Sequence, residues 1–166
     1  MKPQGEDSRS QIPSLFSLSE IDLRTVMVSR EGLERWIPHR GVIVQVDGII
    51  WHDEEYSLAV GYKDVGHDEF WSDGHFPDQP IYPGVLQIEA GAQLASFLFY
   101  RRRGEPCIAG FTRIDKTVFR GKVMPGDRLL VLSRAVKYRP RLFVSEIQGI
   151  VDDRIVFEST ITGMVM

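Results

Sequence analysis

One long segment, residues 85–103, carries the apolar pattern of a helix. Apolar side chains occupy most of its sides and small residues are frequent, which predicts a helix that is buried nearly all round. The arginine run 101–103 and then Gly104 mark its C-terminal end by charge and by a helix-breaking residue. A second, short helix is predicted over residues 29–37, with a serine as N-cap and Pro38 as the stop.

Runs rich in Val and Ile predict strands on both sides of the long helix. Two strands precede it, at residues 41–51 and 56–65, with a turn at Glu54-Glu55 between them. Three or four follow it, at residues 107–119, 128–138, 142–151 and 154–165. Two strands, one buried helix and an antiparallel run predict an α+β fold in which one helix packs against one sheet.

The N-terminal part differs from the rest of the chain. Residues 1–11 are polar and predict a flexible tail, while residues 14–23 have a mixed pattern that favours no structure. We therefore divide the chain into residues 1–36, a tail with a short helical extension, and residues 37–166, one folded domain.

The stretch 68–84 combines glycine and proline at positions that exclude regular structure. Proline fixes its own φ and restricts the residue before it, so a stiff loop is expected. Binding and catalytic residues concentrate in such loops. His75 lies in this loop, and Glu89 is the only acidic residue of the helix that follows.

Composition narrows the class of protein. The 166 residues are 43% apolar and 26% charged, as in an ordinary globular domain. A net charge of −3 argues against binding of nucleic acid or an anionic membrane by the molecule as a whole. No signal peptide and no run of about 18 apolar residues is visible, so a cytoplasmic location is expected. Cys107 is the one cysteine and forms neither an internal disulfide nor a thiolate metal site by itself.

Residues 74–93, Gly-His-Phe-Pro-Asp-Gln-Pro-Ile-Tyr-Pro-Gly-Val-Leu-Gln-Ile-Glu-Ala-Gly-Ala-Gln, form the most informative segment. This segment resembles the signature of the β-hydroxyacyl-[acyl carrier protein] dehydratases of the FabZ type, in the hot-dog superfamily. All fixed positions of that signature are present. Blocks at 37–47, 114–127 and 151–166 resemble the family as well, so that the likeness covers about residues 37–166.

The resemblance implies a hot-dog fold, in which an antiparallel sheet wraps round one long central helix. It implies His75 and Glu89 as the catalytic pair, with Gly84 and Val85 binding the thioester. The implied substrate is a 3-hydroxyacyl thioester on acyl carrier protein, and no cofactor is required. The resemblance also implies a homodimer in which the base of one subunit meets the acid of its partner, and whether such dimers assemble further into a trimer of dimers stays open.

The chemistry of the residues agrees with such a reaction. Dehydration needs a base for the proton on C2, an acid for the leaving hydroxyl and a donor for the thioester carbonyl. Neutral histidine is a natural base at pH 7. A carboxylic acid protonates a leaving group when an apolar site disfavours ionisation. Unpaired N–H groups at a helix start, as at Gly84, can bind a developing oxyanion.

Several residues keep two interpretations at this point. Phe76, Tyr82 and Gln93 are the candidates for lining a substrate tunnel, and for Phe76 and Tyr82 a place in the core is an equal alternative. Gln93, one turn beyond Glu89, either orients that carboxyl or satisfies a nearby strand. His39 and His52 are interpreted as structural or solvated. The acidic and histidine residues at 67–75 match no standard spacing for zinc or iron, so no metal is predicted.

Basic residues near the helix and the following strand favour docking of the acidic carrier protein over mere solvation of a helix end. They are Arg101, Arg102, Lys116, Arg120 and Lys122. Two other functions stay open. A thioesterase of the same fold would use a positioned water and a carboxylate base, and a non-catalytic subunit would only bind acyl chains.

Overall fold

The computed structural model describes residues 12–166, and the predicted flexible tail at residues 1–11 lies outside them. The elements in chain order are β1 (Val28–Ser29), α1 (Arg30–Glu34), a 3-10 turn (Gly41–Ile43), β2 (Gly48–His52), β3 (Leu58–Asp64), α2 (Gly84–Arg103), β4 (Ala109–Phe119), β5 (Arg128–Arg139), β6 (Leu142–Val151) and β7 (Arg154–Val165). Neighbouring strands are antiparallel, in one sheet of order β1-β2-β3-β5-β6-β7-β4. The α+β prediction is confirmed.

Helix α2 lies against the inner face of this sheet and contacts β3, β5, β6 and β7. Every residue from Ala90 to Tyr100 is buried, as the all-round apolar pattern predicts. Gly91 allows β6 to approach closely, because a Cβ at that position would stand 2.5 Å from Ile147. The helix ends where the sequence indicates, with the N–H of Gly104 donating to the carbonyl of Tyr100. The arrangement is the expected hot-dog fold.

Strand β5 shows how the sheet separates two apolar clusters. Leu129 and Val131 point to the inner cluster beneath α2, whereas Leu130 and Leu132 point to an outer cluster. This alternation follows from the two-residue period of a strand. An antiparallel sheet often leaves its outer face to solvent, but here residues 12–25, which we call the N-terminal strap, lie across it. The strap contributes Leu15, Phe16, Leu18, Ile21 and Leu23 to the outer cluster.

Polar contacts fix the strap to the sheet. The N–H of Leu15 donates to Gln148 Oε1 at 2.7 Å, and the carbonyl of Leu15 accepts from Arg134 at 2.8 Å. Arg134 also pairs with Glu146 on β6. The segment for which the sequence favoured no structure is therefore ordered by tertiary contacts. Among residues 12–166, no helix combines the length and apolar character that crossing a bilayer requires.

The predicted strand over residues 41–51 is wrong in its first half. Only Gly48–His52 is strand, and Gly41–Ile43 forms one 3-10 turn instead. The physical reason is that the N–H of Gln45 donates to the side chain of Gln93 at 2.8 Å, not to a neighbouring strand. The short helix α1 is confirmed with Ser29 as its N-cap, although it ends three residues before Ile37.

Candidate active site

The loop between β3 and α2 is held by its own backbone. The carbonyl of Trp71 accepts the N–H of His75 at 2.9 Å. Phe76 and Gln79 exchange backbone hydrogen bonds of 3.1 and 3.0 Å round a turn in which Asp78 has a φ of 63°. Asp tolerates this left-handed conformation better than most residues do. The stiff loop predicted from its prolines and glycines is thus an ordered one.

A buried ion pair joins this loop to the sheet. Lys63 on β3 places its Nζ 2.8 Å from Glu69 Oε1, and only 5% of the Lys63 side chain is exposed. The N–H of Glu69 donates to the hydroxyl of Ser72, one residue beyond the buried Trp71. Buried charges of this kind persist when they are paired and hydrogen-bonded. The pair therefore anchors residues 69–72, and the carbonyl of Trp71 in this segment accepts the N–H of His75.

The orientation of His75 follows from one contact. Its Nδ1 lies 2.8 Å from the carbonyl oxygen of Ile81. A carbonyl only accepts, so Nδ1 carries the hydrogen and donates it. In the neutral ring, Nε2 is then the free lone pair. The ring stacks on Phe76, with centroids 4.2 Å apart, and the peptide bond between the two residues is cis.

Glu89 lies on the second turn of α2, where two nitrogens approach one of its oxygens. Gln93 Nε2 donates to Glu89 Oε1 at 2.9 Å, and His39 Nε2 lies 3.2 Å from the same atom. The carboxyl is mostly but not fully buried, with 20% of the side chain exposed. His39, which the sequence left as structural or solvated, therefore belongs to the site. No local sequence pattern predicts the contact of His39 with Glu89, because 50 residues separate the two in the chain.

Gln93, which is fully buried, contacts both Glu89 and the backbone of residues 43–45, a segment that was predicted as strand and is not one. Besides binding Glu89, its amide accepts the N–H of Gln45 at 2.8 Å and donates to the carbonyl of Ile43 at 2.6 Å. The side chain of Gln45 in turn accepts the hydroxyl of Tyr82 at 2.8 Å. Burial, and then the negative charge of Glu69, raises the pKa of Tyr82, so this hydroxyl stays a donor.

The two aromatic tunnel candidates occupy different environments. Tyr82 is 1% exposed and packs against Trp71 in the core, with ring centroids 5.5 Å apart. Phe76 is half exposed beside His75. Of the two, only Phe76 is exposed enough to contact a ligand, whereas Tyr82 is part of the core.

The first turn of α2 offers free backbone donors. The N–H groups of Gly84 and Val85 have no backbone acceptor among residues 12–166. The ring of Phe119 lies directly over Gly84, and a Cβ there would come within 2.7 Å of it. Because Gly84 has no Cβ, the Phe119 ring can pack against the helix start, and a ligand can come close to the backbone N–H groups there. The positive end of the helix dipole adds to their attraction for a developing negative charge.

A pocket with a volume of about 170 Å³ opens beside the Glu89 carboxyl, between α2 and the strands β4, β6 and β7. His39 and Glu89 form its polar end. Small and aromatic residues form the remainder, namely Ala92, Ser96, Ala109, Gly110, Phe111, Phe143 and Gly163. Apart from His39, Glu89 and Ser96, the residues that line the pocket are apolar or glycine.

The five basic docking candidates fall into two groups. Arg101 stacks on Trp36 and Tyr56 with its guanidinium 4.6 and 4.7 Å from the ring centroids, and Arg102 lies over another aromatic ring. On an α-helix the position of Arg102 is about 27 Å from Gly84. Lys116, Arg120 and Lys122 are exposed. Lys122 adjoins Val123, whose carbonyl accepts the N–H of Tyr82 just before the helix start. Lys116 and Arg120 instead line a hollow together with Leu15 of the strap, and Arg120 is paired with Glu158.

The two residues predicted as the catalytic pair do not contact each other within the described chain. Over residues 12–166, no hydrogen bond or ion pair links His75 with Glu89. In the same part of the chain, no group of three or more His, Cys, Asp or Glu residues is arranged to hold a metal ion.

Comparison with known proteins places these features in a family. The FabA-like domain family model matches residues 37–160. The 3-hydroxyacyl-[acyl-carrier-protein] dehydratase FabZ of Sulfurovum sp. is 34% identical over 141 residues, covering 81% of this chain and 94% of that protein. The enzyme of the same name from Brucella abortus is 39% identical over 131 residues, covering 78% and 83%.

Solved structures agree on the fold. The dehydratase heterocomplex ApeI:P from Xenorhabdus doucetiae aligns with a TM-score of 0.69 at 15% identity, covering 81% of this chain and 90% of that one. A hypothetical thioesterase with coenzyme A from Streptococcus pneumoniae aligns with a TM-score of 0.55 at 10% identity, covering 74% and 88%. At such identities the likeness concerns the fold alone. From its sequence relatives, the chain belongs to the FabA-like family, among the FabZ-type dehydratases.

Proposed function

We propose that this protein converts 3-hydroxyacyl-[acyl carrier protein] to the trans-2-enoyl thioester and water, in fatty acid or lipid biosynthesis. The observation that carries the proposal is the orientation of His75, whose Nδ1 is committed to the Ile81 carbonyl at 2.8 Å and whose Nε2 is free to accept a proton. Family membership and the Glu89 carboxyl at the pocket support it. Carrier-bound substrate implies a cytoplasmic or organellar interior as the place of reaction.

The reaction balances with these groups alone. His75 Nε2 takes the proton from C2, and the C–H electrons form the C2=C3 bond as the C3–O bond breaks. Glu89 delivers its proton to the departing hydroxyl, which leaves as water. The N–H groups of Gly84 and Val85 bind the thioester oxygen while it gains negative charge; one such donor contributes about 3 kcal/mol. Transfer of the proton from His75 back to Glu89 through solvent restores the starting state.

The proposal requires a second copy of the chain. Strand β4 is the last strand of the sheet, and in the described part of the chain it pairs only with β7. Its exposed side chains include Phe111, Ile114 and Val118. An apolar edge strand with free backbone groups is a template for pairing with another chain. We place the dimer axis beside β4, so that His75 of one subunit faces Glu89 of the other.

The pocket beside Glu89 is assigned to the acyl chain. Its volume of about 170 Å³ is close to that of an engineered cavity, roughly 150 Å³, which takes benzene. The assignment predicts a preference for acyl tails of about six carbons beyond the reacting centre. Activity on carrier-bound substrates of graded length tests it, and Ala92→Leu is expected to shorten the preferred tail. An unchanged preference in that variant would contradict the assignment.

Carrier docking is assigned to Lys122, the basic candidate that lies near the helix start. Lys122→Glu is expected to raise KM several-fold for a carrier-bound substrate and to leave KM for a small N-acetylcysteamine thioester unchanged. Arg102→Glu, at the other end of α2, serves as the comparison. A larger effect of Arg102→Glu would move the docking site to the C-terminal end of the helix.

Hydration of a short trans-2-enoyl thioester tests the function directly, through loss of the absorbance of the conjugated enone. We expect hydration by the purified protein and its loss in His75→Ala and in Glu89→Gln. Release of free thiol without hydration would indicate the thioesterase instead. Binding of the thioester with neither reaction would indicate the non-catalytic subunit.

A further inference from the structure

The carboxyl of Glu89 is approached from two sides at a single oxygen. Gln93 Nε2 lies 2.9 Å and His39 Nε2 3.2 Å from Glu89 Oε1. The direction of the Gln93 contact is certain, because the other end of its amide accepts a backbone N–H, that of Gln45. Gln93 Nε2 is therefore the NH2 group, and Oε1 of Glu89 accepts from it.

The direction of the His39 contact follows from its second nitrogen. Nδ1 of His39 is buried and has no hydrogen-bond partner among the described residues. A hydrogen on that atom would be a buried donor without an acceptor, and orphaned buried N–H groups are rarer than under-satisfied acceptors. In the neutral tautomer with hydrogen on Nε2, the buried Nδ1 carries no hydrogen and no donor is left without an acceptor. In that form His39 donates to Glu89 Oε1.

The local sequence holds His39 in this place. Ile37 is 1% exposed and is anchored in the core, and Pro38 restricts the backbone that follows. The guanidinium of Arg40 donates to the carbonyls of Ile37 and His39 at 2.8 and 2.6 Å. The segment 37–40 is thus held by its own hydrogen bonds, and it orients the His39 imidazole toward the Glu89 carboxyl.

We infer that His39 is a positioning residue for the Glu89 acid. With Oε1 taken by two N–H donors, Oε2 is the oxygen left to face the substrate hydroxyl and to carry the proton when Glu89 acts as the acid. Without His39 the carboxyl can turn about its terminal bond and misdirect that proton. This inference rests on the proposed function, because it assigns a role within that reaction.

Two substitutions of matched chemistry separate positioning from a merely structural role. The amide nitrogen of glutamine reaches the place of a histidine Nε2, whereas that of asparagine reaches only the place of Nδ1. We expect His39→Gln to keep kcat within about threefold of wild type, and His39→Asn and His39→Leu to lower kcat 10- to 100-fold, the scale of a misplaced catalytic group. KM should change less than twofold in all three. The exposed His67, replaced as His67→Leu, is the control.

The outcomes separate this inference from the proposed function. Wild-type protein without hydratase activity would defeat the function itself. Wild-type activity retained in His39→Leu, or equal kcat values for the Gln and Asn variants, would overturn the role of His39 and leave the function standing. Thermal midpoints within about 4 °C of wild type show that each variant is folded. A variant outside that range is set aside, and the Gln and Asn pair is then compared at a lower temperature where both are folded.

Discussion

His75 and Ile81 bind each other twice. The His75 Nδ1–H donates to the Ile81 carbonyl at 2.8 Å, and the Ile81 N–H donates to the His75 carbonyl at 2.8 Å. The ring orientation is therefore set by the backbone of its own loop, before any substrate or partner binds. What remains for the rest of the molecule is to hold that loop at the start of α2.

The ion pair between Lys63 and Glu69 is expected to perform this task. Lys63→Met leaves a mostly buried carboxylate without its partner, and the free energy of unfolding should fall by about 3 kcal/mol. Urea unfolding measures this change. Adding Glu69→Gln should recover part of the loss, since no lone charge then remains. Lys137→Met, at an exposed lysine, is the control. Equal stability of Lys63→Met and wild type would show that the pair does not anchor the loop.

Gly84 offers a test of the thioester site. Gly84→Ala adds a Cβ that collides with the Phe119 ring, so the ring must shift at the helix start, where we propose that the thioester binds. We expect kcat/KM to fall at least tenfold with little change in thermal midpoint, because the ring is half exposed and free to shift. In Gly84→Ala with Phe119→Leu, which relieves the collision, activity should return in part. A double variant no better than Gly84→Ala would argue against the collision as the cause.

The N-terminal strap is expected to keep the outer face of the sheet covered. Deletion of residues 1–25 uncovers the apolar cluster formed by Ile50, Val60, Leu132 and Ile150. We expect a lower thermal midpoint and concentration-dependent association, since exposed apolar patches promote contact between molecules. Deletion of residues 1–11 leaves the strap in place and is the matched control. Light scattering that is the same for both deletions would contradict a covering role.

The sequence predicted well the elements whose pattern is local. Strands β5 to β7 and helix α2 were predicted within about two residues, because alternation in strands and an all-round apolar helix are read directly from neighbouring positions. The strand prediction failed at residues 41–47 for a non-local reason. Val44 and Val46 are buried like strand residues, but the backbone partner of Gln45 is a side chain 48 positions away.

The candidate site divides in the same way. The loop with His75 and the helix with Glu89 were found from a continuous motif of 20 residues. The contact of His39 with Glu89 and the packing of Phe119 on Gly84 join distant parts of the chain, and no local spacing encodes them. The strap over the outer face of the sheet was not predicted, because the spacing of its apolar residues fits neither the period of a helix nor that of a strand.

Mixing two inactive variants reveals whether each active site combines His75 of one subunit with Glu89 of the other, as we propose. His75→Ala and Glu89→Gln are unfolded together and refolded as a one-to-one mixture. Random pairing makes half of the dimers hybrid, and each hybrid contains one intact site and one doubly altered site. We expect recovery of about a quarter of wild-type hydratase activity, because half of the dimers have one of their two sites intact. No recovery, in a mixture that mass spectrometry shows to contain hybrid dimers, would contradict the proposal.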